Sequence, residues 1–126
     1  MLLRRLLTAM LLFAAGAAPL RAQVSVGSAL EDSLSRLSEI LGALHYLRGI
    51  CQGAEGNRWR NEMQALIDAE GASPERKSRM TASFNRGYTG YQQTYRTCTP
   101  AAELAVRRYL DEGSKLAREA SARYSN

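Results

Sequence analysis

Two apolar stripes run through this chain in steps of four and three. The first is Leu30, Leu34, Leu37, Leu41 and Leu44, with Cys51 seven residues beyond. The second is Met80, Phe84, Tyr88, Tyr91 and Tyr95, and it runs on to Cys98. Such steps align side chains along one face of an α-helix and along no face of a strand. The chain is therefore expected to build two amphipathic helices, each with a cysteine at its C-terminal end. Val, Ile and Phe are sparse while Ala, Leu and Arg are abundant, which disfavours a β fold.

Local signals divide the rest into four helical segments. Ser28-Ala29-Leu30-Glu31 reads as a capping box opening the first helix, which ends near Ile50, with Ile40 and Leu47 widening its stripe. After a small loop over 52–56, Asn57 is placed to cap a second helix reaching about Glu70, with Trp59, Met63, Leu66 and Ile67 on one face. Gly71 suits a left-handed C-terminal position. Ser73-Pro74-Glu75 supplies a cap, a proline at the first position and an acid in the first turn of a third helix. Gly87 and Gly90 fall within it and mark a kink or a close backbone approach. Thr99-Pro100 repeats the cap-plus-proline signal for a fourth helix. Its seam is Ala102, Val106, Leu110, Gly113, Ala117, Ala120 and Tyr124, flanked by Tyr109 and Leu116. Glu103, Asp111 and Glu119 each precede a base by four residues (Arg107, Lys115, Arg123), which reads as a solvated face.

The N-terminus has a different composition. Arg4 and Arg5 precede an apolar run over 6–18, Pro19 breaks it, and Leu20-Arg21-Ala22 precedes Gln23. This is the pattern of a secretory signal peptide over residues 1–22, with an apolar run too short to span a bilayer. The expectation is a bacterial protein free in the periplasm or secreted, with a single helical domain over 23–126 and no membrane span after cleavage. The full chain has 17 Lys and Arg against 12 Asp and Glu, a formal charge of +5; removing Met1–Ala22, which carries three arginines and no acid, leaves +2. That balance, with charges interspersed, argues against nucleic acid as a partner.

An even cysteine count in an oxidising compartment reads as a disulfide between Cys51 and Cys98. Closing that loop is worth ~4 kcal/mol on the chain-entropy model, a large share of the ~5–10 kcal/mol available to a domain of this size. Short connections favour antiparallel neighbours, so the chain is expected to form an all-α, up-down bundle of about four helices stapled by one disulfide. An up-down order puts the ends of helices one and three at the same end of the bundle. Diagonal helices of a square bundle lie ~14 Å apart, whereas a disulfide needs Cα atoms ~5.5 Å apart, so helices one and three must converge or pack directly. Setting Cys51 opposite Cys98 would place Leu37 against Phe84, Leu41 against Tyr88, Leu44 against Tyr91 and Arg48 against Tyr95.

The stretch Leu37-Ser-Glu-Ile-Leu-Gly-Ala-Leu-His-Tyr-Leu-Arg48 with Cys51, the pair Trp59-Arg60, and Phe84-Asn-Arg-Gly-Tyr88 with Tyr91, Tyr95 and Cys98-Thr-Pro-Ala-Ala102 resemble a family of small, uncharacterised secreted proteins of alphaproteobacteria. The resemblance covers nearly all of the chain after residue 22. It implies secretion and a bridge between two well-separated cysteines, and it implies no activity.

Catalytic patterns are thin. His45 is the only histidine, so a nucleophilic triad would have to use it, and it lies six residues before Cys51 on the same helix. Two cysteines and one histidine do not close a zinc site, and no metal or other cofactor is expected. Gly87-Tyr-Thr-Gly90 lacks the lysine and the preceding strand of a phosphate loop. His45 is expected to flank the core and bond a helix-three side chain such as Gln92. The least ordinary feature is the ladder Tyr88, Tyr91, Tyr95, with Asn85 and Arg86 beside it and His45 and Arg48 on the facing helix. These seven residues form the expected binding surface of a non-enzymatic envelope module, whose partner would be an envelope protein, a peptide or a glycan. The alternative is a small envelope hydrolase using Glu39 and His45.

Overall fold

The structure is a computed structural model that describes residues 20–51 and 55–124, with the side chains of 20–26, 123 and 124 left aside. Most of the expected targeting segment, residues 1–19, lies outside the described residues, as do part of the 52–56 loop and the side chains of Arg123 and Tyr124. Four helices follow in order: α1 Leu20–Ile50, α2 Arg58–Glu70, α3 Pro74–Thr94 and α4 Pro100–Tyr124. No strand occurs among the described residues. The fold is the expected all-α assembly of four helices with one disulfide.

The arrangement is not a square bundle. α1 is an axis that packs against each of the other three helices, most extensively against α3, and α4 makes its backbone approach to α1 alone. This shifts the centre of the core. Ile40, Ala43 and Leu47, expected at the margin of the stripe or off it, are fully buried at 0% exposure, while Leu30 and Leu37 are only half-buried. A helix covered on three sides buries more than one stripe, so its flanks become interior. Trp59 and Met63 of α2, Met80 of α3, and Ala102 and Val106 of α4 complete the core.

α1 meets α3 through small residues. Ser38 and Gly42 on α1, and Ser83 and Gly87 on α3, are all buried and spaced four apart on their helices. A Cβ on Gly42 would overlap the carbonyl oxygen of Phe84, and a Cβ on Gly87 would overlap the carbonyl oxygen of Glu39. Backbones therefore touch where a side chain would otherwise stand. Gly90 has open space around it, so Gly87 is the close approach and Gly90 is not. Ser38 remains satisfied in this dry interface because its hydroxyl donates to the Leu34 carbonyl at 2.7 Å.

The caps divide cleanly. Ser73 accepts from the Arg76 amide at 3.1 Å with Pro74 at the first helical position, and Thr99 accepts from the Ala102 amide at 3.1 Å ahead of Glu103. Three other expectations fail. Ser28 caps nothing, because it lies inside α1; Glu31 instead accepts from Arg76 at 2.7 Å and from Arg79 at 3.0 Å, tying α1 to the start of α3. Asn57 holds the N-cap position of α2 without a side-chain bond. Gly71 is not left-handed, with φ −77°; a Cβ there would crowd the Ile67 carbonyl and the Lys77 side chain, and the left-handed glycine is Gly56 at φ 52°.

The third helix also stops short of its stripe. It ends at Thr94, Tyr95 turns extended, and Cys98 sits in the connection to α4. Cys51 and Cys98 are bonded with Cα atoms 5.0 Å apart. Because the chain leaves helical geometry before Cys98 and the helices cross at Gly42 and Gly87, counting back from the cysteines misplaces the register. Phe84 comes level with Gly42 rather than Leu37, and His45 and Tyr46, not Leu41, pack on Tyr88.

Candidate functional site

α3 lies aslant on α1. Near its start it touches α2: Arg76 donates to the Glu70 carbonyl at 3.1 Å, and Lys77 lies against Gly71. Near its end it has swung to α4, where the Tyr91 and Tyr109 hydroxyls share a hydrogen bond of 2.7 Å. α2 and α3 therefore part like the sides of a wedge whose floor is α1.

His45 stands on that floor. Its ring lies 6.0 Å from the Phe84 ring and 5.5 Å from the Tyr88 ring, centroid to centroid. The residue is half-buried, and its Nδ1 is sealed from solvent with no hydrogen-bond partner among the described residues. The expected bond to Gln92 is not made. An unpartnered buried nitrogen costs ~1–3 kcal/mol, so this is an expensive place to leave an imidazole. Burial first, and then the nearby Arg60 guanidinium, push the His45 pKa below its ordinary value and keep the ring neutral. Arg60, on α2, is exposed and forms no ion pair among the described residues. Asn85 is exposed on α3 between Phe84 and Tyr88.

The remaining expected site residues lie elsewhere or are tied down. Arg48, expected opposite Tyr95, is paired with Glu55, whose second oxygen also takes the Trp59 indole N–H at 2.7 Å. These donors hold the Glu55 carboxyl down at about 2 and raise the Arg48 pKa. The reason is local, since the turn after α1 brings an acid back within reach of a base seven residues earlier. Arg86 reaches Ser83 at 3.3 Å and Glu39 at 3.7 Å. Tyr91 stacks on Tyr95 at 6.1 Å and is spent on Tyr109, where burial raises its pKa. The Tyr46 hydroxyl donates to the Tyr95 carbonyl. The ladder thus splits: Tyr88 belongs to the His45 wedge, and Tyr91 and Tyr95 belong to a polar seam between α1, α3 and α4.

That seam went unread in the sequence. Arg36 grips Glu112 with two bonds, Nε to Oε1 at 2.7 Å and Nη2 to Oε2 at 2.9 Å, and lies 5.6 Å from the Tyr109 ring. The pairing raises the Arg36 pKa and lowers that of Glu112. The two residues are 76 apart in the chain, so no local pattern announces them. By contrast, Glu103 and Asp111 form no ion pair with Arg107 and Lys115 among the described residues; the one ion pair of α4 found there runs to α1. Glu39 faces Arg36 at 3.5 Å and Arg86, and makes no bond to His45, so the two do not assemble as an acid–base pair. No cluster of three or more metal-binding side chains occurs among the described residues. No helix of the described residues is long and apolar enough to cross a membrane.

A family model described as protein of unknown function, DUF2385, matches residues 29–124. No curated protein and no solved structure matches the chain. The matched span takes in both cysteines, the Gly42–Gly87 crossing and the His45 wedge, so the chain belongs to the DUF2385 family of proteins of unknown function.

Proposed function

We propose that this chain is exported to the bacterial cell envelope, loses residues 1–22, and works there as a non-enzymatic binding module. The working face is the wedge around His45, Asn85 and Tyr88, and its partner is an envelope protein, peptide or glycan. One observation carries the reading: a costly, unpartnered imidazole nitrogen is kept against two aromatic rings, where a leucine would have packed at no such cost. Export is supported by the charged-then-apolar N-terminus and by a disulfide, which persists in oxidising compartments.

Two measurements test the two halves. Mass spectrometry of the protein isolated from its own cells should find Gln23 at the N-terminus and no free thiol; protein that keeps Met1 and alkylates at both cysteines would refute export. A photo-crosslinking amino acid at Asn85 should give a discrete adduct in living cells, while one at the exposed Ser114 of α4 should not. Equal labelling at both sites, or none, would refute the binding face.

A further inference from the structure

The two sulfurs of the Cys51–Cys98 bridge stand in different surroundings. Cys51, just after α1, is 3% exposed and belongs to the core. Cys98 is exposed in the non-helical connection between α3 and α4, and so are Arg96 and Thr97 before it. We infer that the Cys98 sulfur is a thiol–disulfide exchange site, through which a thiol or disulfide of another molecule opens and closes the bridge, with Cys51 as the buried cysteine that completes it. The inference goes beyond the binding face around His45 and does not depend on it.

Exchange proceeds by attack of a thiolate on one sulfur of a disulfide, and access decides which sulfur is struck. Solvent reaches Cys98 and is shut out from Cys51. An incoming thiolate therefore bonds to the Cys98 sulfur. The bond between the two cysteine sulfurs breaks, and its electron pair leaves on Cys51, which takes a proton from water. A second thiol attacks the mixed disulfide and departs bonded to the first, so two thiols are oxidised to one disulfide and the bridge is reduced to two thiols. In reverse, with a disulfide as oxidant, Cys98 takes up the oxidant's sulfur and Cys51 displaces it. Two features favour closure. A thiolate in the core is poorly solvated, so Cys51 attacks back. Cys98 is also held in place without the bond: the Tyr46 hydroxyl donates to the Tyr95 carbonyl on one side of it, and the fully buried Ala102 anchors the start of α4 on the other. The Glu103 carboxylate, 3.9 Å from the Cys98 sulfur, adds a filter, because its charge opposes an anionic thiol.

The full disulfide-bonded protein is treated with reduced glutathione in native buffer, quenched with acid and alkylated. Trypsin then leaves Cys51 within residues 49–58 and Cys98 within residues 97–107, so mass spectrometry reads which sulfur carries glutathione. Glutathione should sit on Cys98 over Cys51 by about tenfold or more. The rate of bridge loss should rise in proportion to thiol and change less than about twofold in urea below the unfolding transition, as attack on the native fold requires. Glu103→Gln, an exposed change, should speed attack by the anionic glutathione thiolate about threefold at low salt, the effect of a unit charge ~6 Å away in water. Reduced thioredoxin distinguishes the sources of the thiol: loss that outruns glutathione at equal thiolate concentration assigns the exchange to a protein cysteine, and loss that lags assigns it to a small thiol. Glutathione on Cys51 or shared evenly, a rate that levels off as thiol rises or climbs with urea, or a Glu103→Gln protein reduced no faster than wild type overturns the inference.

Discussion

α1 is held by α3 and by α4 in opposite ways. Against α3 it offers Ser38, Gly42 and Ala43, and the two backbones touch. Against α4 it offers Ile40 and Leu37 at the base, with Gly113 opposite, and then reaches across with Arg36 to Glu112. The first contact leaves no volume for change. The second is built of long side chains that are themselves 40% and 41% exposed, and it can flex. The tight contact fixes where α3 crosses α1, and with it the packing of Phe84 and Tyr88 on His45. The loose contact supplies adhesion without fixing the site.

The largest expected effect comes from releasing the tight side at its end. Cys98→Ser, compared with wild type in denaturant melts, should cost ~4 kcal/mol, the entropy of the loop it closes. Its partner Cys51 is buried in the core, so Cys51→Ser should cost at least as much through an added buried hydroxyl. A loss below ~1 kcal/mol for Cys98→Ser would mean that the α1–α3 contact holds itself without the staple.

The crossing glycines come next. Alanine normally favours a helix over glycine by ~1 kcal/mol, so Gly90→Ala, in open space, should stabilise. Gly42→Ala and Gly87→Ala carry the same local gain yet should destabilise by ~1–3 kcal/mol, because the clash is with backbone and no rotamer relieves it. The double substitution should cost less than the sum, since one displacement of α3 serves both. Circular-dichroism melts of the three single variants decide the matter by sign alone. Stabilisation by Gly87→Ala would break the distinction between the two sides.

What the sequence made legible follows the same division. Patterns that repeat along one helix were readable: the stripes, the Ser73-Pro74 and Thr99-Pro100 caps, the shared end of the two cysteines. The crossing was readable only in part. Gly87 stood out as a glycine in a helix, but its meaning depends on Gly42 and on the Ser38 and Ser83 positions four residues before each, a small-residue spacing repeated on two helices that a search for apolar stripes passes over. The Arg36–Glu112 and Glu31–Arg76 ties were not readable, because they pair residues 76 and 45 apart and each residue alone looks like surface. Of the candidate site, the sequence singled out His45 and Tyr88 but not their packing on each other, which follows from where α1 and α3 cross.

The loose side makes a smaller, opposite prediction. A double-mutant cycle on Arg36→Met and Glu112→Gln should give a coupling of ~0.5–1 kcal/mol that falls with added salt, as befits a bidentate but exposed pair. A coupling beyond ~2 kcal/mol would make α4 as firmly placed as α3 and erase the contrast.

The smallest effect lies in the pH dependence of stability, and it separates the wedge from the ties around it. His45 has a folded pKa below its unfolded value, through burial and Arg60, so the unfolded chain binds the extra proton first. Stability is therefore full above the ordinary histidine range and declines as pH falls through about 6.5. The carboxylates act lower. Arg48 and Trp59 hold Glu55 down at about 2, and Glu31 and Glu112 are lowered by their arginines. Their stabilisation is present above the ordinary carboxylate range and is lost between about 4.5 and 2. A plot of unfolding free energy against pH should show two descending limbs with a shelf between them. His45→Gln should flatten the upper limb and leave the lower one in place. An upper limb that survives His45→Gln would place its proton on another group and leave the imidazole without the electrostatic position assigned to it.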